Sequence, residues 1–196
     1  VPVDLDEILD FVAQNDIVLI EDCAHTLGTL WQYEGTSNTD HLSSQKQMLG
    51  TFGLCGVFSC QTNKLINAGE GGFLVTNDVH FLAKCVIRSG SYGYYLKGHY
   101  FDSAVREIFD QTFDAMCCEN FSMRMNNIAG LLVCDQLGGL AKNVNGIEVN
   151  GPKFGKLEAK IEEFNRHYSI LEAELAAEPM VVVAQRSPKE RKVGTS

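Results

Sequence analysis

The chain has 196 residues, 45% of them hydrophobic and 21% charged, a composition that supports a packed core and argues against disorder. Its formal net charge of −9 argues against nucleic acid or an anionic membrane surface as a partner, because both need a basic face. No apolar run reaches the roughly 18 residues of a spanning helix, and no secretory leader is apparent.

The seven cysteines are Cys23, Cys55, Cys60, Cys85, Cys117, Cys118 and Cys134. Their odd number, their apolar surroundings and the lack of a Cys-x-x-Cys pair predict reduced, buried thiols in a cytoplasmic protein, with no metal. The sequence opens at Val1 without Met and stops at Ser196 with no evident terminal element. A piece of a longer protein is therefore expected.

Leu5, Ile8, Leu9, Phe11 and Val12 recur at helical spacing over 5–16, ended by Asn15-Asp16. "IVLIED", 17–22, reads as a short, fully buried strand. A helix followed by a buried strand predicts an α/β unit with a parallel sheet. Residues 32–51, rich in Gly, Ser, Thr, Asn and Gln, read as a long surface loop. Two more strands are expected at 56–60 and 71–78, then a helix over 79–90 ended by Gly90.

Residues 91–101 form an aromatic, Gly-rich loop in this reading. Helices follow over 103–116, over 125–140, where the apolar content predicts burial, and over 156–178. Residues 143–155 read as a turn-rich insertion, 180–185 as an edge strand, and the basic run 187–192 as a solvated segment.

Two segments carry chemistry. In "IEDCAHTLG", 20–28, two acids end a strand and His25 follows. Strand ends of open α/β sheets are where ligands bind. Taken alone, the simpler reading is that Asp22 caps the next turn and His25 is a satisfied core histidine. In "VFSCQTNKLINAGEGG", 57–72, Ser59 ends a strand and Lys64 lies five positions on, before a Gly-Glu-Gly-Gly turn. A lysine amine kept partly neutral can form a Schiff base, and a Ser hydroxyl with Gly amides can hold a phosphate. Together, the lysine, the carboxylate and the phosphate donors match what pyridoxal phosphate requires.

The blocks "VLIEDCAHTLGT", "GTFGLCGVFSCQTNKLINAGEGGFLVTND", "RSGSYG", "NFSMRMNNIAGLLVCDQL" and "RHYSILEAEL" run in this order. In them the chain resembles the DegT/StrS family of pyridoxal-phosphate-dependent sugar aminotransferases. The resemblance implies that Asp22 pairs with the pyridine nitrogen, His25 contacts the ring and Ser59 binds the phosphate. It makes Lys64 the Schiff-base lysine and proton shuttle. Asn120, or alternatively Ser122, stands for the family's residue that reaches a neighbouring subunit's phosphate. Asn120 lies four positions before Arg124 where many members have two.

The implied fold is the aspartate-aminotransferase (fold type I) large domain: α/β, with a mostly parallel sheet flanked by helices, here incomplete. Residues 1–155 would belong to that domain, and 156–196 would begin a C-terminal small domain. The implied reaction moves an amino group, from glutamate, to a keto group of a nucleotide-linked sugar in a homodimer. Two alternatives stay open: a sugar dehydratase of the same family, in which His replaces the lysine, and a catalytically silent regulatory protein on the same fold.

Overall fold

The computed structural model describes residues 4–35, 46–90, 103–115, 121–138, 156–177 and 190–191. The element order is α1 (Leu5–Asn15), β1 (Ile20–Asp22), β2 (Leu30–Gln32), β3 (Lys46–Met48), β4 (Cys55–Ser59), β5 (Gly72–Val75), α2 (Val79–Arg88), α3 (Ser103–Ala115), α4 (Asn127–Leu137), α5 (Lys156–Ala176) and β6 (Glu190–Arg191).

The helices begin and end where their capping residues dictate. The Asp4 side chain accepts from the Asp6 amide at the start of α1, with Asp6 and Glu7 in the first turn complementing the helix dipole. Asp16 closes α1 in the left-handed conformation, φ 54°, with its amide on the Val12 carbonyl. Asp78 caps α2 by accepting from His80 and Phe81 amides, and Asn126 caps α4 by accepting from Ala129.

The strands form two sheets of three, ordered β1-β4-β5 and β3-β2-β6. The first holds one parallel pair, β1 with β4, in which Ile20, Glu21 and Asp22 face Cys55, Gly56 and Val57. β4 pairs antiparallel with β5, and the second sheet is antiparallel throughout. The chain is thus mixed α/β, and of the mostly parallel sheet expected, the described residues contain that single parallel pairing.

Several further expectations differ from the structure. β1 is three residues long, and Ile17, Val18 and Ile20 are exposed at 48%, 67% and 58%. Among the described residues these three side chains are left largely uncovered. The segment 32–51, read as a surface loop, begins on the last residue of β2 and contains β3, and its Tyr33 and Leu49 are buried. Helix α4 buries only Ala129 and Val133, while Ile128, Leu131 and Leu132 face outward. Within 187–192, read as solvated, the backbone of Glu190 and Arg191 pairs with β2. The segments 91–101, 143–155 and 180–185 lie outside the described residues.

The core joins α1, β2, β4 and α4 through Leu9, Trp31, Phe58, Ile66 and Val133. A buried carboxylate needs donors, and Asp6 has them: the Trp31 indole N–H at 2.8 Å and the Glu34 amide at 3.0 Å. The Tyr33 hydroxyl donates to Asp10 beside them. These bonds tie α1 to β2. Among the described residues no helix is long and apolar enough to cross a membrane.

Candidate active site

β1 and β4 run parallel, so their C-terminal ends lie side by side, with Asp22 opposite Val57. Side chains alternate along a strand. Asp22, Val57 and Ser59 therefore share one face, while Glu21 is turned to the other.

Past β1, the Cys23 amide bonds the Val57 carbonyl at 2.8 Å and the Thr26 amide bonds the Cys23 carbonyl at 3.1 Å. His25 rides on this tight turn, and it is exposed rather than a core histidine. Asp22 Oδ1 accepts from the Ala24 amide at 3.1 Å. Turn capping is thus part of what Asp22 does, and its carboxylate is otherwise open to solvent.

Past β4, Ser59 Oγ accepts from the Gln61 amide at 3.3 Å and the Lys64 amide bonds the Gln61 carbonyl at 2.9 Å. The loop closes where the Cys60 amide meets the Gly71 carbonyl and the Ala68 amide meets the Cys60 carbonyl. The Thr62 hydroxyl donates to the Gly69 carbonyl across the same loop. Gly69 and Gly71 adopt φ of 83° and 126°, a region that favours glycine. Lys64 is half-buried. Its Nζ lies 2.9 Å from Nε2 and 3.1 Å from Nδ1 of His25. A neutral imidazole has a single acceptor nitrogen, so at most one of these two contacts is a hydrogen bond from the lysine amine.

The fold thus brings Lys64 against His25 and sets Asp22 and Ser59 on neighbouring strand ends. Asn120 lies outside the described residues. Ser122 is exposed with φ 51°, on a segment anchored to the end of α2 by Phe121 N–H on the Arg88 carbonyl and Arg124 Nη1 on the Gly90 carbonyl.

One residue escaped the sequence reading. Glu21 is 8% exposed, and its carboxylate accepts from the amides of Gly50 at 2.6 Å and of Phe52 and Gly53 at 2.8 Å each. It fastens the loop that leads into β4 onto the back of β1. The signal was the strand alternation itself: if Asp22 faces outward, Glu21 faces inward, where an acid requires several donors.

Burial raises the pKa of Cys23, Cys55, Cys60 and Cys85, and at Cys23 the nearby Glu21 and Asp22 charges add to it. A protonated thiol is a poor nucleophile. A small cavity lined by Gly50, Thr51, Gly53, Val75, Thr76 and Asn77 lies at the opposite end of β4 from Lys64.

The sequence pattern of the DegT/DnrJ/EryC1/StrS aminotransferase family matches residues 1–192. The chain belongs to this family. Among its relatives, L-glutamine:scyllo-inosose aminotransferase of Streptomyces griseus is 40% identical over 75 residues, 38% of this chain and 15% of the relative. GDP-perosamine synthase of Escherichia coli O157:H7 is 34% identical over 85 residues, 43% of this chain and 20% of the relative.

The fold is that of the sugar aminotransferase CalS13 from Micromonospora echinospora, with TM-score 0.55 and 20% identity over 98% of this chain and 43% of that one. It is also that of the E. coli GDP-4-keto-6-deoxy-D-mannose-3-dehydratase solved with bound hydrated PLP, with TM-score 0.58 and 22% identity over 100% of this chain and 41% of that one. The chain spans less than half the length of these structures, and its matches to the two curated relatives cover a fifth or less of theirs.

The residues present suit pyridoxal phosphate. A primary amine, an imidazole, an open carboxylate and a hydroxyl come from two strand ends, and the amine and imidazole already meet. Each is a group that the cofactor's aldehyde, ring or phosphate can use.

Proposed function

We propose that the protein to which this chain belongs transfers an amino group, from glutamate, to a keto group of a nucleotide-linked sugar, with pyridoxal phosphate as cofactor. The observation that carries the reading is the meeting of Lys64 with His25 beside the strand end that bears Asp22. Family membership supports the reaction class.

In this reading Lys64 Nζ would hold the cofactor at its aldehyde and, once released from it by the incoming amine, would serve as the base that carries the proton. Asp22 pairs with the ring nitrogen and keeps it protonated. His25 lies against the ring and orients Nζ. Ser59 Oγ donates to the phosphate. The bound cofactor supplies an aldehyde that takes up the amino group and a ring that draws off electrons. Asn120 or Ser122 would reach the phosphate of a partner subunit in a homodimer, and the protein is assigned to the cytoplasm on its cysteine content. Residues 1–155 serve the cofactor-binding domain, and 156–196 lead into a second, smaller one.

The test is amination of a nucleotide-linked keto sugar by the full-length protein, followed by mass spectrometry with ¹⁵N-glutamate. ¹⁵N in the sugar supports the reading. Labelling from α-¹⁵N-glutamine but never from glutamate overturns the donor. A product that has lost a hydroxyl and carries no nitrogen identifies the dehydratase reading, against which the presence of Lys64 stands. A folded protein that takes up no cofactor identifies the silent one.

A further inference from the structure

Lys64 sits on a loop whose next three residues are each held by a different device. Ile66 is 0% exposed in the core. Asn67 is gripped at both backbone groups by one side chain: its amide donates to Gln136 Oε1 at 3.2 Å and its carbonyl accepts from Gln136 Nε2 at 2.6 Å. The Leu65 carbonyl accepts from Lys160 Nζ at 3.1 Å, and the same Nζ donates to Gln136 Oε1 at 2.9 Å. Gln136 is in the last turn of α4 and Lys160 in the second turn of α5.

The next residue on α5 reaches the other half of the pair. Ile161 is buried, and its side chain occupies the space that a Cβ on Gly28 would need. Gly28 lies three positions after His25 with φ 83°. Two successive residues of α5 therefore touch the Lys64 loop and the His25 turn.

We propose that α5 is a splint for the catalytic pair, with Lys160, Gln136 and Ile161 as positioning residues that set Lys64 Nζ against His25. A displacement of α5 shifts both the loop and the turn, so a movement of this helix is felt at the lysine. The relay through Gln136 gives the arrangement its direction. Lys160 orients the amide oxygen that receives the Asn67 N–H, and this leaves the amide nitrogen to face the Asn67 carbonyl. This inference rests on the proposed role of Lys64 for its consequence, and its test is made without cofactor.

Trace acetylation followed by mass spectrometry measures the reactivity of Lys64 relative to the exposed Lys84 in the full chain. His25→Ala defines the ratio when the pair is absent. The splint predicts that Lys160→Met and Gln136→Leu each move the ratio toward the His25→Ala value, by about fivefold, the worth of one ordinary hydrogen bond. Lys160→Arg, which keeps donors at that place, stays near the wild-type ratio. Variants that unfold more easily yet label Lys64 at the wild-type ratio would overturn the proposal, since Lys160 and Gln136 would then only stabilise the fold. Amide exchange in the unmodified chain gives an independent reading. Asn67 and Lys64 amides should open together, and a more than about tenfold difference in protection contradicts a single held unit. Failure of the cofactor reading shows separately, as a chain with the predicted labelling pattern that takes up no pyridoxal phosphate.

Discussion

Replacing Glu21 by Gln changes a single atom group at the place where β1 and the entry to β4 are joined. The carboxylate accepts three amides, with Gly50 on Oε2 and Phe52 and Gly53 on Oε1. A glutamine can keep two of them on its oxygen. Its NH₂ then faces the Gly50 N–H, two donors with no acceptor between them. The Gly50 bond is buried and short, 2.6 Å. An unsatisfied buried donor costs about 1–3 kcal/mol, and the two remaining bonds lose their ionic character at roughly 0.5–1 kcal/mol each.

The expected loss is about 2–5 kcal/mol. Glu21→Ala should lose more, because all three donors are stranded. Urea unfolding followed by fluorescence of Trp31, the one tryptophan of the chain, measures both. A midpoint for Glu21→Gln within about 0.5 kcal/mol of the unmodified chain at unchanged m would refute the reasoning and mean that the loop is held by other contacts.

Gly56→Ala should destabilise by about 2–4 kcal/mol in the same assay, because its methyl group would overlap the backbone of Gly50, which cannot move aside as a side-chain end can. A shift under about 1 kcal/mol would show that the 50–53 loop yields readily. The thiols predict alkaline sensitivity. With folded pKa values of Cys23, Cys55, Cys60 and Cys85 raised by burial, the folded state binds protons more tightly than the unfolded one. Their contribution is complete below the ordinary thiol value of about 8.5 and is lost as pH rises above it. Urea midpoints should fall between neutral pH and pH of about 10, and a midpoint that rises over that interval contradicts the sign. Asp6→Asn should loosen α1 from β2 by about 1–2 kcal/mol, with a change in Trp31 emission because the indole N–H loses an ionic acceptor. An unchanged spectrum argues against that bond.

Helices were legible from the sequence where a cap and a periodic stripe agreed, as in α1 with Asp4 and Asp16 and in α2 after Asp78. The position of Asp22 at a strand end and of Lys64 just after one was legible because each follows an apolar run, and the two runs form neighbouring strands. The extent of β1 was misjudged for a physical reason. An apolar run such as Ile17-Val18-Leu19 states that something should cover it, but not which part of a protein does so. β2 and β3 were missed because three-residue strands are too short for alternation to register, and they exist through their partners and the Asp6 bonds. Gln136 and Lys160 left no local mark at all. Their importance comes from meeting a loop 69 and 95 positions away in the chain.

The central claim is that Lys64 is the residue that takes up the cofactor. Borohydride reduction of the full-length protein in the presence of pyridoxal phosphate, followed by peptide mapping, tests it directly. The account predicts one stoichiometric pyridoxyl group on Lys64, absent from Lys64→Ala, with Lys84 and Lys160 unmodified. A label spread over the lysines, or fixed on another one while Lys64 stays free, would contradict it.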